Sequence, residues 1–90
     1  MRDRIRSLRF KPALERTDGL QGYVSFEHGI LAVDGVTVRL SALGEYMLSF
    51  PKRRDRDGVA HPYVRPLDPE LRREITEYVI AELRRRGDIR

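Results

Sequence analysis

Residues 22–40, GYVSFEHGILAVDGVTVRL, decide the fold. Over 22–28 the apolar Val24 and Phe26 point one way, and Tyr23, Ser25 and Glu27 point the other. Period-two alternation of this kind is the mark of a strand with one buried face. His28-Gly29 reads as a tight connection, and ILAV at 30–33 as a short apolar strand running into Asp34-Gly35. That dipeptide admits two structures. It suits a two-residue hairpin turn, because both residues tolerate positive φ. It equally suits a bulge inside one long strand from Ile30 to Leu40. After it, Val36, Val38 and Leu40 alternate with Thr37 and Arg39.

Upstream, Ile5, Leu8 and Phe10 lie at mixed spacing in a basic stretch and predict a first strand, which Pro12 limits. Thr17-Asp18-Gly19 is a turn signal. Downstream, residues 45–50, EYMLSF, predict a strand with Tyr46, Leu48 and Phe50 on one face, ended by Pro51. KRRDRDG at 52–58 reads as a polar loop, and VAHPYV at 59–64 as a final short strand, with Pro62 favouring an edge.

The last element is a helix. Asp68 can cap free amides, Pro69 fits the first turn, and Glu70 complements the positive end of the dipole. Leu71, Ile75, Tyr78, Val79 and Leu83 recur on one helical stripe. Arg73–Glu77 and Glu82–Arg86 are i,i+4 pairs for the solvent side. Arg84, Arg85 and Arg86 sit at the negative dipole end, with Gly87 as the stop. Strands followed by one helix imply an α+β domain over residues 1–90. Its small antiparallel sheet, of four to five strands, has one C-terminal helix packed on it.

Ninety residues hold one small core and no separate cofactor and substrate lobes. Hydrophobic residues make up 40% and charged ones 36%, which is apolar enough to exclude wholesale disorder. With no cysteine there is no disulfide framework, thiolate metal site or cysteine nucleophile. No apolar run is long enough to span a bilayer, and the basic start lacks the apolar stretch of a secretory signal. The expectation is a soluble cytoplasmic protein that does not engage a membrane.

The net charge is +4, and sixteen of the eighteen basic residues are arginine. Arginine donates a planar fork of hydrogen bonds that matches phosphate. The charge is uneven. Residues 1–16 carry six basic and two acidic groups; 17–50 carry one and four; 51–65 carry five and two; 66–90 carry six of each. Positive charge therefore gathers in the N-terminal segment and in one loop-like segment, as expected of a nucleic-acid binder.

The first candidate contacts are Lys52, Arg53, Arg54, Arg56 and Arg65, joined by Arg72 and Arg73 if the first turn of the helix packs close to the loop. Asp55 and Asp57 would partly cancel that charge or position the arginines. Arg2, Arg4, Arg6, Arg9 and Lys11 form a possible second strip, or a charged edge strand that discourages aggregation. His61 has no nucleophile or carboxylate at an indicative spacing, and reads as a half-buried histidine bonding backbone at a strand edge. His28 reads as a turn residue. Asp55-Arg56-Asp57-Gly58 lacks the further oxygen ligands of a calcium loop. No catalytic constellation, cofactor-binding loop or metal site is visible, so the expectation is no enzyme, no cofactor and no small-molecule substrate. One sheet with one helix leaves edges and a second face unpartnered. Tyr23, Leu31, Val33 and Met47 could line that face, which implies a homodimer. A competing reading is a protein-interaction module that docks a partner on a sheet edge or apolar face.

The run YMLSFPKRRDRDGVAHPYV at 46–64 resembles the stage V sporulation protein G family of septation and sporulation regulators. The family pattern has an aromatic-apolar strand, Pro, one variable residue, a basic pair, a glycine-containing loop and an Ile-Ala-His-Pro strand. Pro51, Lys52, Arg53-Arg54, Gly58 and Val59-Ala60-His61-Pro62 fit it in turn. Ile5, Leu8 and Phe10, then residues 22–40, look like its first three strands, and Arg72, Ile75, Val79 and Leu83 fit its helix. The likeness covers about 80 residues. The loop before Ala-His-Pro is about four residues shorter than usual, and Tyr63-Val64 stand where the family often has Ile-Asn. What the resemblance implies is a dimeric α+β protein that binds DNA or RNA, regulates transcription or cell division, and makes contact through the basic loop.

Overall fold

A computed structural model describes residues 5–90. Arg2 and Arg4 of the N-terminal strip lie outside the described residues. Four strands form an antiparallel sheet in chain order: β1 (Ile5–Pro12), β2 (Leu20–His28), β3 (Leu31–Leu40) and β4 (Tyr46–Ser49). A separate two-stranded ribbon follows, β5 (Lys52–Arg54) with β6 (Ala60–Pro62), and then α1 (Pro69–Arg86). The α+β class is as the sequence predicts. The segment 59–64 does not join the main sheet as a fifth strand; only Ala60–Pro62 is extended, and it pairs back on Lys52–Arg54. Pro51 is the physical reason: it has no N–H to continue the β4 ladder, so the chain leaves the sheet there.

Two irregularities let the sequence keep one apolar face. Asp34-Gly35 is a bulge within β3 and not a hairpin turn. Val24 pairs with Val36 while Phe26 pairs with Val33, so β3 carries one more residue than β2 at that point. Gly35 takes φ +72, and the extra residue turns both Val33 and Val36 inward. In β1 the register shifts between Arg6 and Arg9, with Ser7 at φ +53, and Ile5 and Leu8 are both buried despite their odd spacing. The mixed periodicity of that strand is the imprint of this shift.

The core gathers Ile5, Leu8, Val24, Phe26, Val33, Val36, Val38, Leu48 and Phe50 from the sheet side against Val79, Ile80, Leu83 and Ile89. Ile80 supplies the flank that the stripe assigned to Tyr78, which is 42% exposed. At about 100° per residue, Ile75, Val79 and Leu83 centre the buried face, and residues 78 and 80 fall on opposite sides of it. The second apolar face expected from Tyr23, Leu31, Val33 and Met47 does not form: Val33 is in the core, and Tyr23 and Met47 lie on the other side of the sheet.

The helix ends as its sequence predicts. Asp68 accepts a hydrogen bond from the Leu71 amide (2.9 Å). Gly87, at φ +82, closes a double cap in which the Gly87 and Asp88 amides donate to Arg84 and Leu83 carbonyls. That reversal returns Ile89 to the core. Arg86 donates to the Leu8 carbonyl of β1 (2.6 Å) and Arg72 to the Leu48 carbonyl of β4 (3.2 Å), so the helix is tied to both edge strands. Among the described residues no helix is long and apolar enough to cross a membrane.

Candidate nucleic-acid interface

The basic segment expected as a loop is a hairpin. Lys52, Arg53 and Arg54 stand opposite Pro62, His61 and Ala60, and residues 55–59 make the turn. Asp55 builds that turn. Its amide donates to the Val59 carbonyl (3.0 Å), and the Gly58 amide donates to the Asp55 carbonyl (3.0 Å). Its side-chain Oδ1 accepts from the amides of Asp57 (2.9 Å) and Val59 (3.0 Å). Gly58 at φ +80 supplies the left-handed residue that closes it. Arg54 braces the turn from outside by donating to the Gly58 carbonyl (2.8 Å).

His61 completes this arrangement. Its Nε2 lies 2.7 Å from Asp55 Oδ2. A carboxylate oxygen only accepts, so Nε2 carries the proton. The histidine is exposed and bonds a side chain, not backbone as the sequence pattern suggests. The His61 hydrogen bond, followed by that from the Val59 amide, holds the Asp55 carboxyl below its ordinary value of 3.8. Asp55 thus stays ionised and is turned into its own hairpin, where it orders the segment that carries the arginines.

The candidate cations divide into two groups. Lys52, Arg53, Arg56 and Arg73 are exposed and make no hydrogen bond or ion pair among the described residues. Arg53 shares a face of the ribbon with His61, while Lys52 and Arg54 occupy the other. The remainder are engaged. Arg54 holds Gly58, Arg65 reaches the Pro66 carbonyl at 3.4 Å, and Arg72 is committed to Leu48 with its guanidinium 5.6 Å from the Phe50 ring centroid. Arg72 therefore fastens the helix to the sheet, whereas Arg73 on the next position is free.

A second feature is not foreseen from the sequence. Between the sheet, the start of α1 and the 64–67 segment lies an apolar hollow of about 350 Å³, lined by Phe26, Leu31, Val33, Phe50, Leu67 and Ile75 among others. His28, expected in a turn, ends β2 and lines this hollow; its buried Nε2 has no partner. Leu31 (59% exposed) and Leu67 (81%) leave the rim of this hollow apolar. The signal in the sequence is Leu67, a large apolar residue after Pro66 that belongs to neither the predicted strand at 59–64 nor the helix.

In comparisons with known proteins, no family model and no curated protein matches the chain.

Proposed function

We propose that the protein is a non-enzymatic, cytoplasmic DNA- or RNA-binding regulator of gene expression. In this reading it resembles the stage V sporulation protein G family and contacts the nucleic-acid backbone through the β5–β6 hairpin. The observation that carries this reading is the hairpin itself. It projects Lys52, Arg53 and Arg56 with no competing partner, while Asp55, one of its two acids, is engaged by the turn and the exposed Asp57 offsets part of the charge. A short ribbon braced by Asp55, His61 and Arg54 presents these cations from an ordered backbone. Each phosphate they neutralise releases counterions, so binding weakens steeply with salt.

Fluorescence anisotropy of a labelled duplex and a labelled RNA strand, across several salt concentrations, tests this. Arg53→Ala/Arg56→Ala removes two free cations and leaves the Arg54 brace in place. The expected result is weaker binding to every sequence and a logarithmic salt slope shallower by about 1 for each phosphate no longer neutralised. A folded protein that binds neither probe at low salt overturns the reading.

The homodimer belongs to the same reading. Leu31 and Leu67 around the hollow are apolar surface that a second copy would cover. The same surface favours the competing reading, a module that docks another protein. Sedimentation equilibrium separates them: a dimer that Leu67→Asp dissociates supports self-association, and a monomer at all concentrations points to a different partner.

A further inference from the structure

We propose that the solvent face of the four-stranded sheet binds an unpaired nucleic-acid strand. A base stacks on Tyr23, and Arg9, Lys11 and Arg39 hold the flanking phosphates. The proposal rests on the nucleic-acid reading above but uses a different surface.

The sheet register assembles this face from all four strands. Lys11, Tyr23, Thr37 and Ser49 stand opposite one another in a single row across β1, β2, β3 and β4. Residues directly opposite in an antiparallel ladder project to the same side. Val24, Val36 and Val38 are buried, so this row faces solvent. Arg9 lies two residues before Lys11 on the same side, opposite Ser25, and Arg39 two residues after Thr37, opposite Met47. Tyr23 therefore has Lys11 as its direct neighbour, about 5 Å away between Cβ atoms, and Arg9 and Arg39 as diagonal neighbours at about 7–8 Å. The bulge at Gly35 matters here, because it sets which residues of β3 look outward.

The face is unoccupied by the protein's own interactions. Arg9 and Lys11 make no hydrogen bond or ion pair among the described residues, and Arg39 makes one hydrogen bond, to the Asp18 carbonyl at 3.3 Å. Tyr23 is 43% exposed. Among the described residues the cation–ring contacts go to Phe50 and Tyr46, which leaves the Tyr23 ring uncovered. The acids near this face are Glu27, held by Arg6 (3.7 Å) and Ser7 (3.3 Å), Asp34 at the bulge, and, at the Arg39 end, Asp18 and Glu45. None of the four is opposite or diagonal to Tyr23, and the pair at Arg39 makes Arg9 and Lys11 the stronger phosphate contacts.

An aromatic ring set among cations on a flat polar surface is the arrangement that stacks a base while tracking its backbone. A duplex cannot use it, since its bases are stacked on each other. Successive outward residues on β1 are about 6.7 Å apart, which lets Arg9 and Lys11 take separate phosphates of an extended strand.

The sequence contains no tryptophan, so Tyr23→Trp introduces one fluorescent reporter on this face. Oligothymidylate and oligouridylate would be titrated against it, with a duplex and an oligoglutamate of equal charge as comparisons. The expected result is quenching of the indole by both single strands and by neither comparison. Arg9→Ala/Lys11→Ala should weaken single-strand binding about tenfold with duplex affinity unchanged, and Tyr23→Phe should bind as the parent does. Circular dichroism confirms folding of each variant. Unquenched indole, or single-strand affinity that Arg9→Ala/Lys11→Ala leaves untouched, overturns the proposal. So does quenching by oligoglutamate equal to that by the single strands. The hairpin reading is judged separately: duplex or RNA binding that Arg53→Ala/Arg56→Ala abolishes preserves it whatever the indole reports, and quenching that this variant leaves unchanged, with no duplex binding, removes it alone.

Discussion

Asp55 serves several purposes at once. It accepts two amides, holds a histidine and starts the turn, all through one side chain. A carboxyl whose pKa is depressed in the folded state stabilises that state fully above its ordinary value. For Asp55 the contribution is complete above about pH 4 and is lost as acid titrates the group below 3.8. His61 is the largest cause of the depression. His61→Ala should therefore move the Asp55 titration upward toward 3.8, which carboxyl carbon NMR across the acid range would read directly. An unmoved midpoint would mean that the two amides alone set the carboxyl's affinity for its proton. The same substitution leaves Arg53 in place, so any fall in nucleic-acid affinity would measure hairpin order and not charge.

The helix shows how far single elements are legible from sequence. Asp68 caps it through the Leu71 amide, and Asp68→Ala should cost about 1 kcal/mol, seen as a lowered urea midpoint. At its other end Glu82 is gripped by Arg85 and by Arg86 (3.1 Å), and those hydrogen bonds pull its pKa down to about 2. These features are readable because capping, dipole and i,i+4 rules act within a few residues. The bulges are not. Ser7 takes positive φ with no glycine to announce it, and Asp34-Gly35 satisfies a turn and a bulge equally well. Only the partner strand distinguishes those outcomes, and a partner strand is a tertiary fact. The β5–β6 pairing is hidden for the same reason, since KRRDRDG has no alternation to display and its strands are three residues long. In the candidate site, the identity of the cations is plain from sequence. Which of them are free, and that Arg72 serves the core, depends on where Leu48 and Phe50 come to rest.

The whole molecule is a four-stranded sheet with one helical cover and a two-stranded ribbon beside it. Leu83 has no exposed surface and sits where the helix meets the sheet. Leu83→Ala should destabilise the fold by about 3 kcal/mol, lowering the melting temperature by on the order of 10–20 °C. Differential scanning calorimetry checks this, and a shift of only a few degrees would show that the helix is peripheral to stability. The two faces of the sheet have separate duties. One packs against α1 and borders the apolar hollow, and the other carries Tyr23 and its cations into water. Substitutions that lower stability and substitutions that weaken binding should therefore map to opposite sides of the same strands.

The tie between Arg86 and the Leu8 carbonyl spans 78 residues of chain. During synthesis, β1 to β4 are made in order, each beside the strand it pairs with, and α1 follows about 20 residues, or a few seconds, later. For that interval a nascent sheet carries its valines bare, a sticky surface in a crowded cell. The clustered charge of the early chain then has a temporal meaning: arginines on the first strand keep neighbouring nascent chains apart until the last element arrives to close the lid.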